Sequence, residues 1–438
     1  MKSLKLNNIN LFYFFVIFSQ FLILVNFISL YTLTQYKALR INQTIRFREI
    51  VGPYFRPNDK PGFGYEINEA SVGYHFFGDL TELMFYARNI NKNLDFLDLQ
   101  IQYPPSTLLF LKLFENLELI NILFFLLIAS LILIVLAINK FELEVNKYLF
   151  LFTIIFTSKS FLFSLDRGNL EFFVFSLLLL GFAYKNEYQK LSLILFIFAA
   201  SIKPSVILLI IFIKISSLFL VGIGVLILQT ISFLYLKINP FEGLVHYISN
   251  INNFSSTYPF PLDVEISNLS IFGIISYFRH SDSILITPLG TFLQGLLNNT
   301  PAIAVLSLLI YILFIKFMNI DIYNSTIHLA CYISIILLVR DFTGYYTSIY
   351  FVIPLIIFFA NKKSKRIEMI TAILVFLSMQ PIQIFIDKEY VTQTESLELF
   401  YRLSASSLVL GVCIITIFYN FIELKNYKKK NLLNEEKH

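Results

Sequence analysis

The stretch LINILFFLLIASLILIVLAI, residues 119–138, runs for twenty residues without a charged side chain. A helix rises about 1.5 Å per residue, so this stretch is about 30 Å long, which matches the hydrocarbon core of a bilayer. Similar runs recur along a chain that is 57% hydrophobic and 14% charged, with a mean hydropathy of +0.71. A soluble protein cannot hide that much apolar surface, so the sequence predicts an integral membrane protein.

The apolar runs predict an all-α, polytopic transmembrane helical bundle of about twelve spans. The predicted spans are 10–33, 119–138, 147–163, 170–184, 190–201, 204–215, 216–237, 302–318, 325–340, 345–360, 367–386 and 403–422. The first run is too long for a signal peptide and predicts a retained transmembrane helix. The runs on either side of Lys203–Pro204 are short and leave the count there open.

Lysine-bearing short links predict which ends of the spans face the cytoplasm. The links 139–147, 185–190 and 361–366 carry lysines, as does the charged tail 425–438. This predicts a single membrane domain over 1–424, with both termini in the cytoplasm of a plasma (inner) membrane. The long loops 36–118 and 238–300 then lie on the extracytoplasmic face, together with a site assembled from them.

Asp79 lies in GDLTELMFYARN, residues 78–89, within the first long loop. Apolar residues recur there at helical spacing, at Leu80, Leu83, Met84 and Ala87. The pattern predicts a short amphipathic helix suited to the membrane surface. Asp79 and Glu82 have capping-box spacing, with Asp79 at the N-cap and Glu82 at N3. The alternative is that the Asp79 carboxylate acts as a general base toward a sugar or lipid hydroxyl.

Three further segments place polar groups beside apolar runs, where buried charge is costly and therefore indicates function. Tyr103-Pro104-Pro105 predicts an extended segment followed by a helix that starts at the second proline. The segment 166–171 contains Arg167, whose guanidinium suits a phosphate, or else forms a helix cap with a local Asp–Arg pair. Lys203 lies between two apolar runs and needs an anionic partner, unless it extends to the interface.

Two outer links complete the candidate set. Asn268 and Ser270 precede an apolar helix in the second long loop, and also match a glycosylation acceptor. Arg340, Tyr345 and Tyr346 lie between two later spans. Histidines show no metal-ligand spacing and no glycine-rich nucleotide motif occurs, so the sequence predicts no metal and no cofactor. The formal charge of +5 comes from lysines at span ends and does not indicate nucleic acid.

The order of these features resembles family 87 of the GT-C membrane glycosyltransferases, the polyprenyl-phosphate-mannose-dependent mannosyltransferases. The matching positions are Gly78–Asp79, Tyr103–Pro104–Pro105, Asn169, Lys203–Pro204 and Asn268-Leu269-Ser270-Ile271-Phe272-Gly273. The resemblance implies a GT-C fold with amphipathic helices in the long outer loops. It also implies a lipid-phosphate-linked sugar donor and inverting transfer, with an acidic residue of the first outer loop as the base.

Mapped onto this chain, the resemblance implies transfer of a hexosyl, specifically mannosyl, residue to a glycan or glycolipid acceptor, with Asp79 as the base. Arg167, Lys203 and Arg340 are the expected donor-phosphate ligands. The expected sugar- or acceptor-binding residues are Glu82, Tyr86, Tyr103, Asn169, Asn268, Ser270, Tyr345 and Tyr346. Two alternatives stay open: another lipid-linked-sugar transferase or surface-polysaccharide polymerase or ligase, and a lipid-linked-sugar flippase or transporter.

Overall fold

The computed structural model describes residues 78–90, 96–98, 103–141, 143, 145–158, 160–161, 164, 168–257, 300–339, 345–361, 365–379, 408–420 and 422. Every regular element in these ranges is a helix, which confirms the all-α prediction for this part of the chain. The chain divides into two compact units, a first unit over 20–261 and a second unit that combines 1–19 with 262–438. The single domain predicted over 1–424 stays a prediction.

The first unit begins, in its described part, with two short helices and continues with longer apolar ones. Its helices are α1 Gly78–Asn89, α2 Pro105–Lys112, α3 Leu119–Lys140, α4 Val145–Thr157, α5 Glu171–Tyr184, α6 Gln189–Ile202, α7 Ile207–Ile210, α8 Ile215–Tyr235 and α9 Pro240–Thr257. Helix α2 starts at Pro105, as the sequence predicts, because the first helical position does not need the N–H that proline lacks.

Two helices of the first unit have the length and composition to cross a membrane, over Asn121–Lys140 and Ile215–Tyr235. Much of their outer surface is apolar and open: Phe124 of α3 is 55% exposed and Phe219 of α8 is 68% exposed. Contiguous apolar surface of this kind is unusual on a water-soluble protein and suits contact with lipid. These helices favour membrane association, while the twelve-span bundle stays a prediction.

Helix α5 forms the centre of the first unit, and its residues 171–182 are all buried. It packs against α3 and α6. Helices α5 and α6 are antiparallel: Ser192 Oγ donates to the Gly181 carbonyl at 2.8 Å near their connecting turn, and Lys203 pairs with Glu171 at their other ends. Each has 14 residues and is therefore about 21 Å long, shorter than the bilayer core.

The second unit is also helical throughout its described part. Its helices are α10 Thr300–Phe317, α11 Thr326–Val339, α12 Val352–Ala360, α13 Arg366–Met379 and α14 Leu408–Asn420. Both cysteines, Cys331 and Cys413, are buried free thiols in this unit. Tyr311 donates from its hydroxyl to the His328 carbonyl at 3.1 Å, so the apolar core contains a paired polar group.

Two boundaries differ from the prediction. The predicted span 204–215 is not one helix: a 3-10 turn, Pro204–Val206, is followed by the single turn α7 and an irregular link. The predicted span 345–360 starts as a 3-10 helix, Tyr345–Phe351, before α12. The loop predicted over 238–300 contains the 18-residue helix α9, in agreement with the helices expected in the long outer loops. Hydropathy gives the length of an apolar run, but it does not give the positions at which an α-helix changes to a 3-10 helix or to an irregular link.

Candidate functional site

Helices α6 and α8 run parallel, side by side and in register. Gln189 Nε2 donates to Ser217 Oγ at 3.2 Å near the start of both helices, and Gln229 Nε2 donates to the Ser201 carbonyl at 3.1 Å further along. Each helix advances about 18 Å between these two contacts. The chain from 203 to 214 must therefore return to the level where α6 began. Residues 189–214 form a hairpin, called the α6–α7 hairpin below.

The tip of the α6–α7 hairpin lies within the apolar length of α8. Gln229, which is level with Ser201, stands six residues before the last residue of α8, Tyr235. Six residues correspond to about 9 Å of helix. The turn at Lys203–Pro204 thus does not reach the end of the longer helix. Helix ends in apolar surroundings need internal partners, because such surroundings supply no hydrogen bonds.

Those partners come from α2 and α8. Thr107 Oγ1 donates to the Ile202 carbonyl at 2.9 Å, and Ser106 Oγ donates to the Ser201 carbonyl. Gln229 Nε2 donates both to Ser201 and to Ser106 Oγ, the latter at 2.7 Å, and its Oε1 accepts from the Ser106 N–H at 3.4 Å. The last carbonyls of α6 are therefore satisfied, which fixes the tip of the hairpin against the start of α2.

An ion pair joins the tip of the hairpin to the start of α5. Lys203 Nζ contacts Glu171 Oε2; the Glu171 side chain is 1% exposed and the Lys203 side chain is 16% exposed. Glu171 lies in the first turn of α5 and Lys203 follows the last turn of α6. Each charge thus complements the dipole of its own helix end. The sequence predicted that Lys203 needs an anionic partner, and Glu171 is that partner.

Asn169 connects this ion pair to the Tyr103 segment. Its Oδ1 accepts from the Glu171 N–H at 2.9 Å, and its Nδ2 donates to the Tyr103 hydroxyl at 3.4 Å. Gly168 allows the chain to turn there, since its φ of 62° is unfavourable for residues with a side chain. Three predicted site residues, Tyr103, Asn169 and Lys203, therefore meet in one group, together with Glu171.

A cavity of about 30 Å³ lies beside Asn169, between α3 and α5. Its walls are mostly leucine and phenylalanine, and Ser130, Ser164 and Asn169 contribute polar atoms. The Ser164 hydroxyl is buried and makes no hydrogen bond within the described part of the chain. A mostly apolar volume of this size has room for about one or two water molecules, which is far less than a sugar ring needs.

Helix α1 carries Asp79, Glu82 and Tyr86, and packs on α2 through its apolar face. Leu80, Leu83, Met84 and Ala87 are all buried, so the predicted amphipathic face is confirmed. Its C-terminal end is held by Lys112 Nζ, which donates to the Ala87 carbonyl at 3.0 Å, and by Arg88 Nε, which donates to the Glu115 carbonyl at 3.0 Å. The apolar face of α1, which was expected to lie on the membrane surface, therefore packs against protein.

The N-cap position predicted for Asp79 is wrong. The described helix α1, Gly78–Asn89, includes Asp79, so this residue lies within the helix and does not precede it. Local spacing does not separate these positions, because a carboxylate is favourable throughout the first turn of a helix. Tyr86 is half-buried, and its ring lies 5.9 Å from that of Phe85.

The remaining predicted residues belong to the second unit or lie outside the described residues. Tyr345 and Tyr346 open the 3-10 helix Tyr345–Phe351 of the second unit. Four candidates fall outside the described residues, namely Arg167, Asn268, Ser270 and Arg340. Within the described part of the chain, no group of three or more His, Cys, Asp or Glu side chains is placed to hold a metal ion.

Sequence reasoning missed the residues that hold the site together. Gln229 is the one amide side chain in Ile215–Tyr235, and this isolated polar residue in an apolar helix was the available signal. Ser106 and Thr107 directly follow the Tyr-Pro-Pro segment but carry no motif. Glu171 stood in the 166–171 cluster, yet its pairing with Lys203 spans 32 residues and follows only from the packing of α5 on α6.

Comparison of the chain with protein-family models, curated proteins and solved structures gives no match.

Proposed function

We propose that this protein transfers a hexosyl, specifically mannosyl, residue from a polyprenyl-phosphate-linked donor to a glycan or glycolipid acceptor on the extracytoplasmic face of a membrane. The observation that carries the proposal is the meeting of Tyr103, Asn169 and Lys203 at part-buried helix ends in an apolar body. These residues come from three segments that the sequence singled out independently. Ionisable groups in such surroundings are costly, and they are typical of functional sites.

The proposed setting is a GT-C-type bundle of about twelve spans in the plasma (inner) membrane, with both termini cytoplasmic. Contacts within the first unit support the assumed grouping of the links at the two ends of its helices. Lys140 and Glu187, from two links predicted to be cytoplasmic, form an ion pair of 2.5 Å. Tyr103 and Asn169, from segments predicted to be extracytoplasmic, are hydrogen-bonded at the other ends of these helices.

In the proposed reaction, an acceptor hydroxyl oxygen attacks the anomeric carbon of the donor sugar. The bond from that carbon to the phosphate oxygen breaks, and the polyprenyl phosphate leaves with the electron pair. Asp79 takes the hydroxyl proton, and the configuration at the anomeric carbon inverts. Lys203, with Arg167 and Arg340, neutralises the charge that develops on the leaving phosphate. Asn169 and Tyr103 contact the sugar, with further contacts from the other expected sugar- or acceptor-binding residues.

The test is a transfer assay in membranes with a panel of radiolabelled polyprenyl-phosphate sugars. We expect transfer from one member of the panel and its loss in Asp79→Asn. Glu118→Gln is the matched control, since Glu118 is an exposed carboxylate just before α3 whose side chain makes no capping hydrogen bond. Near-normal transfer by Asp79→Asn would remove this residue as the base. No transfer from any donor by the wild-type protein would overturn the proposed reaction.

A second candidate function is movement of a lipid-linked sugar across the membrane. The α6–α7 hairpin favours it, because interrupted helices that end within the membrane are typical of transporter binding sites. Reconstituted vesicles separate the two functions. A transferase consumes the labelled donor and labels an acceptor, whereas a flippase changes the leaflet of an intact lipid-linked sugar.

A further inference from the structure

The Glu171–Lys203 ion pair lies where the proposed reaction needs a cation for the donor phosphate. We propose that this pair is an anion-exchange site: Glu171 is the resident counter-ion of Lys203, and the phosphate group of an isoprenoid lipid takes its place. This inference rests on the proposed function and adds a residue, Glu171, that regulates how available Lys203 is to the donor. Glu171 acts through Lys203 and is therefore a positioning residue.

The two members of the pair differ in their access to the surroundings. The Glu171 side chain is 1% exposed and lies in the fully buried first turn of α5, whereas the Lys203 side chain is 16% exposed. An incoming anion therefore approaches from the lysine side, and the carboxylate lies behind the ammonium. A phosphate that reaches Lys203 meets a cation that already has one anionic partner, so binding is a competition between phosphate and carboxylate.

Each charge also has a second source of stabilisation, which lowers the cost of separating the pair. Glu171 lies at the N-terminal end of α5, where exposed N–H groups favour an anion. Lys203 lies at the C-terminal end of α6, where the helix dipole favours a cation. A buried pair without such helix ends would leave two uncompensated charges on opening.

The lysine side chain is the movable part of this arrangement. The backbone before it is fixed, since Thr107 and Gln229 bind the carbonyls of Ile202 and Ser201. Lys203 itself is extended, with φ −140° and ψ 92°, and its four-carbon stem carries three rotatable donors. The ammonium therefore shifts from carboxylate to phosphate without refolding of the α6–α7 hairpin.

The test measures binding of a long-chain polyprenyl phosphate without sugar to the purified full-length protein in detergent. Glu171→Gln removes the competing carboxylate and should bind this lipid about tenfold more tightly than the wild type, the change that corresponds to about 1.4 kcal/mol. Lys203→Met should bind it at least tenfold more weakly, and the double variant should behave like Lys203→Met. Glu187→Gln is the matched control, because it removes the carboxylate of an exposed pair with Lys140 and should leave binding unchanged.

Glu171→Gln removes the carboxylate that pairs with the part-buried Lys203 ammonium and lowers the stability of the fold. A second readout therefore compares the rise in Tm that saturating polyprenyl phosphate produces. That rise should be larger in Glu171→Gln than in the wild type, whatever the starting Tm. The double variant lacks both charges, so it shows whether a loss of binding reflects Lys203 or damage to the fold.

The outcomes separate this inference from the proposed function. Equal binding by the wild type and Glu171→Gln would overturn the exchange site and leave the lipid-phosphate donor in place. No binding by the wild type or any variant would overturn both. Binding of inorganic phosphate is measured with the same variants. If inorganic phosphate binds with this dependence on Glu171 and Lys203 while the polyprenyl phosphate does not bind, the lipid is not the ligand of the site.

Discussion

Replacement of Gln229 with leucine tests whether one amide fixes the tip of the α6–α7 hairpin. Leucine preserves the approximate volume and the apolar character of α8, so the change removes hydrogen bonds with little effect on packing. Three contacts are lost: Nε2 to the Ser201 carbonyl at 3.1 Å, Nε2 to Ser106 Oγ at 2.7 Å, and the Ser106 N–H to Oε1 at 3.4 Å.

The expected loss of unfolding free energy is about 2 kcal/mol. A hydrogen bond between helices in a membrane protein contributes roughly 0.6 kcal/mol, so three contribute about 2 kcal/mol. The Ser201 carbonyl keeps the Ser106 hydroxyl as a donor, whereas the Ser106 N–H loses the acceptor it has in this structure. A buried donor without a partner costs about 1–3 kcal/mol, which agrees with the first figure.

The measurement is titration of the purified protein with SDS in mixed micelles, followed by circular dichroism at 222 nm. The chain has no tryptophan, so helix content is the suitable signal. Thr230→Leu is the matched control, since Thr230 is the exposed neighbour of Gln229 on α8. If Gln229→Leu unfolds within about 0.5 kcal/mol of the control, a range typical of surface substitutions, the hydrogen bonds do not hold the hairpin.

Two other predictions concern packing and accessibility. Gly181→Ala should destabilise the first unit by about 1–3 kcal/mol in the same titration, because a Cβ there would lie 2.5 Å from the Phe196 ring. Gly222→Ala should be neutral or slightly stabilising, because its Cβ would meet no atom within 4 Å. An equal loss of unfolding free energy in both glycine variants would contradict this reasoning. Cys331 and Cys413 are buried, so a thiol-reactive maleimide should label them only after unfolding. Labelling of the native protein at the denatured rate would refute their burial.

Apolar length predicted most of the helices in the described ranges. The predicted span 119–138 corresponds to α3, and 216–237 corresponds to α8. In an apolar environment the backbone N–H and C=O groups must hydrogen-bond to one another, and a helix achieves this within a single segment. The span 204–215 is not one helix, since a 3-10 turn, a single α-helical turn and an irregular link follow one another there and a hairpin returns the chain. Composition does not register such a reversal, because both arms of the hairpin are apolar.

The candidate site was predictable in its parts but not in its connections. Sequence order pointed to Tyr103, Asn169 and Lys203 because each is a polar residue at the end of an apolar run. Their meeting depends on α5 packing antiparallel to α6, and on α2 lying against the hairpin tip. These contacts join residues far apart along the chain, and no local spacing encodes them.

The amino-acid sequence by itself determined the helical class, the places where apolar runs start and end, and the residue types at those ends. These properties follow from hydropathy and from the demand that every backbone group in an apolar setting be hydrogen-bonded within its own helix. The tertiary structure alone decided that Lys203 faces Glu171 and that Gln229 holds the end of α6. A buried charge or a free carbonyl needs a partner, but only the packing of helices selects which residue becomes that partner.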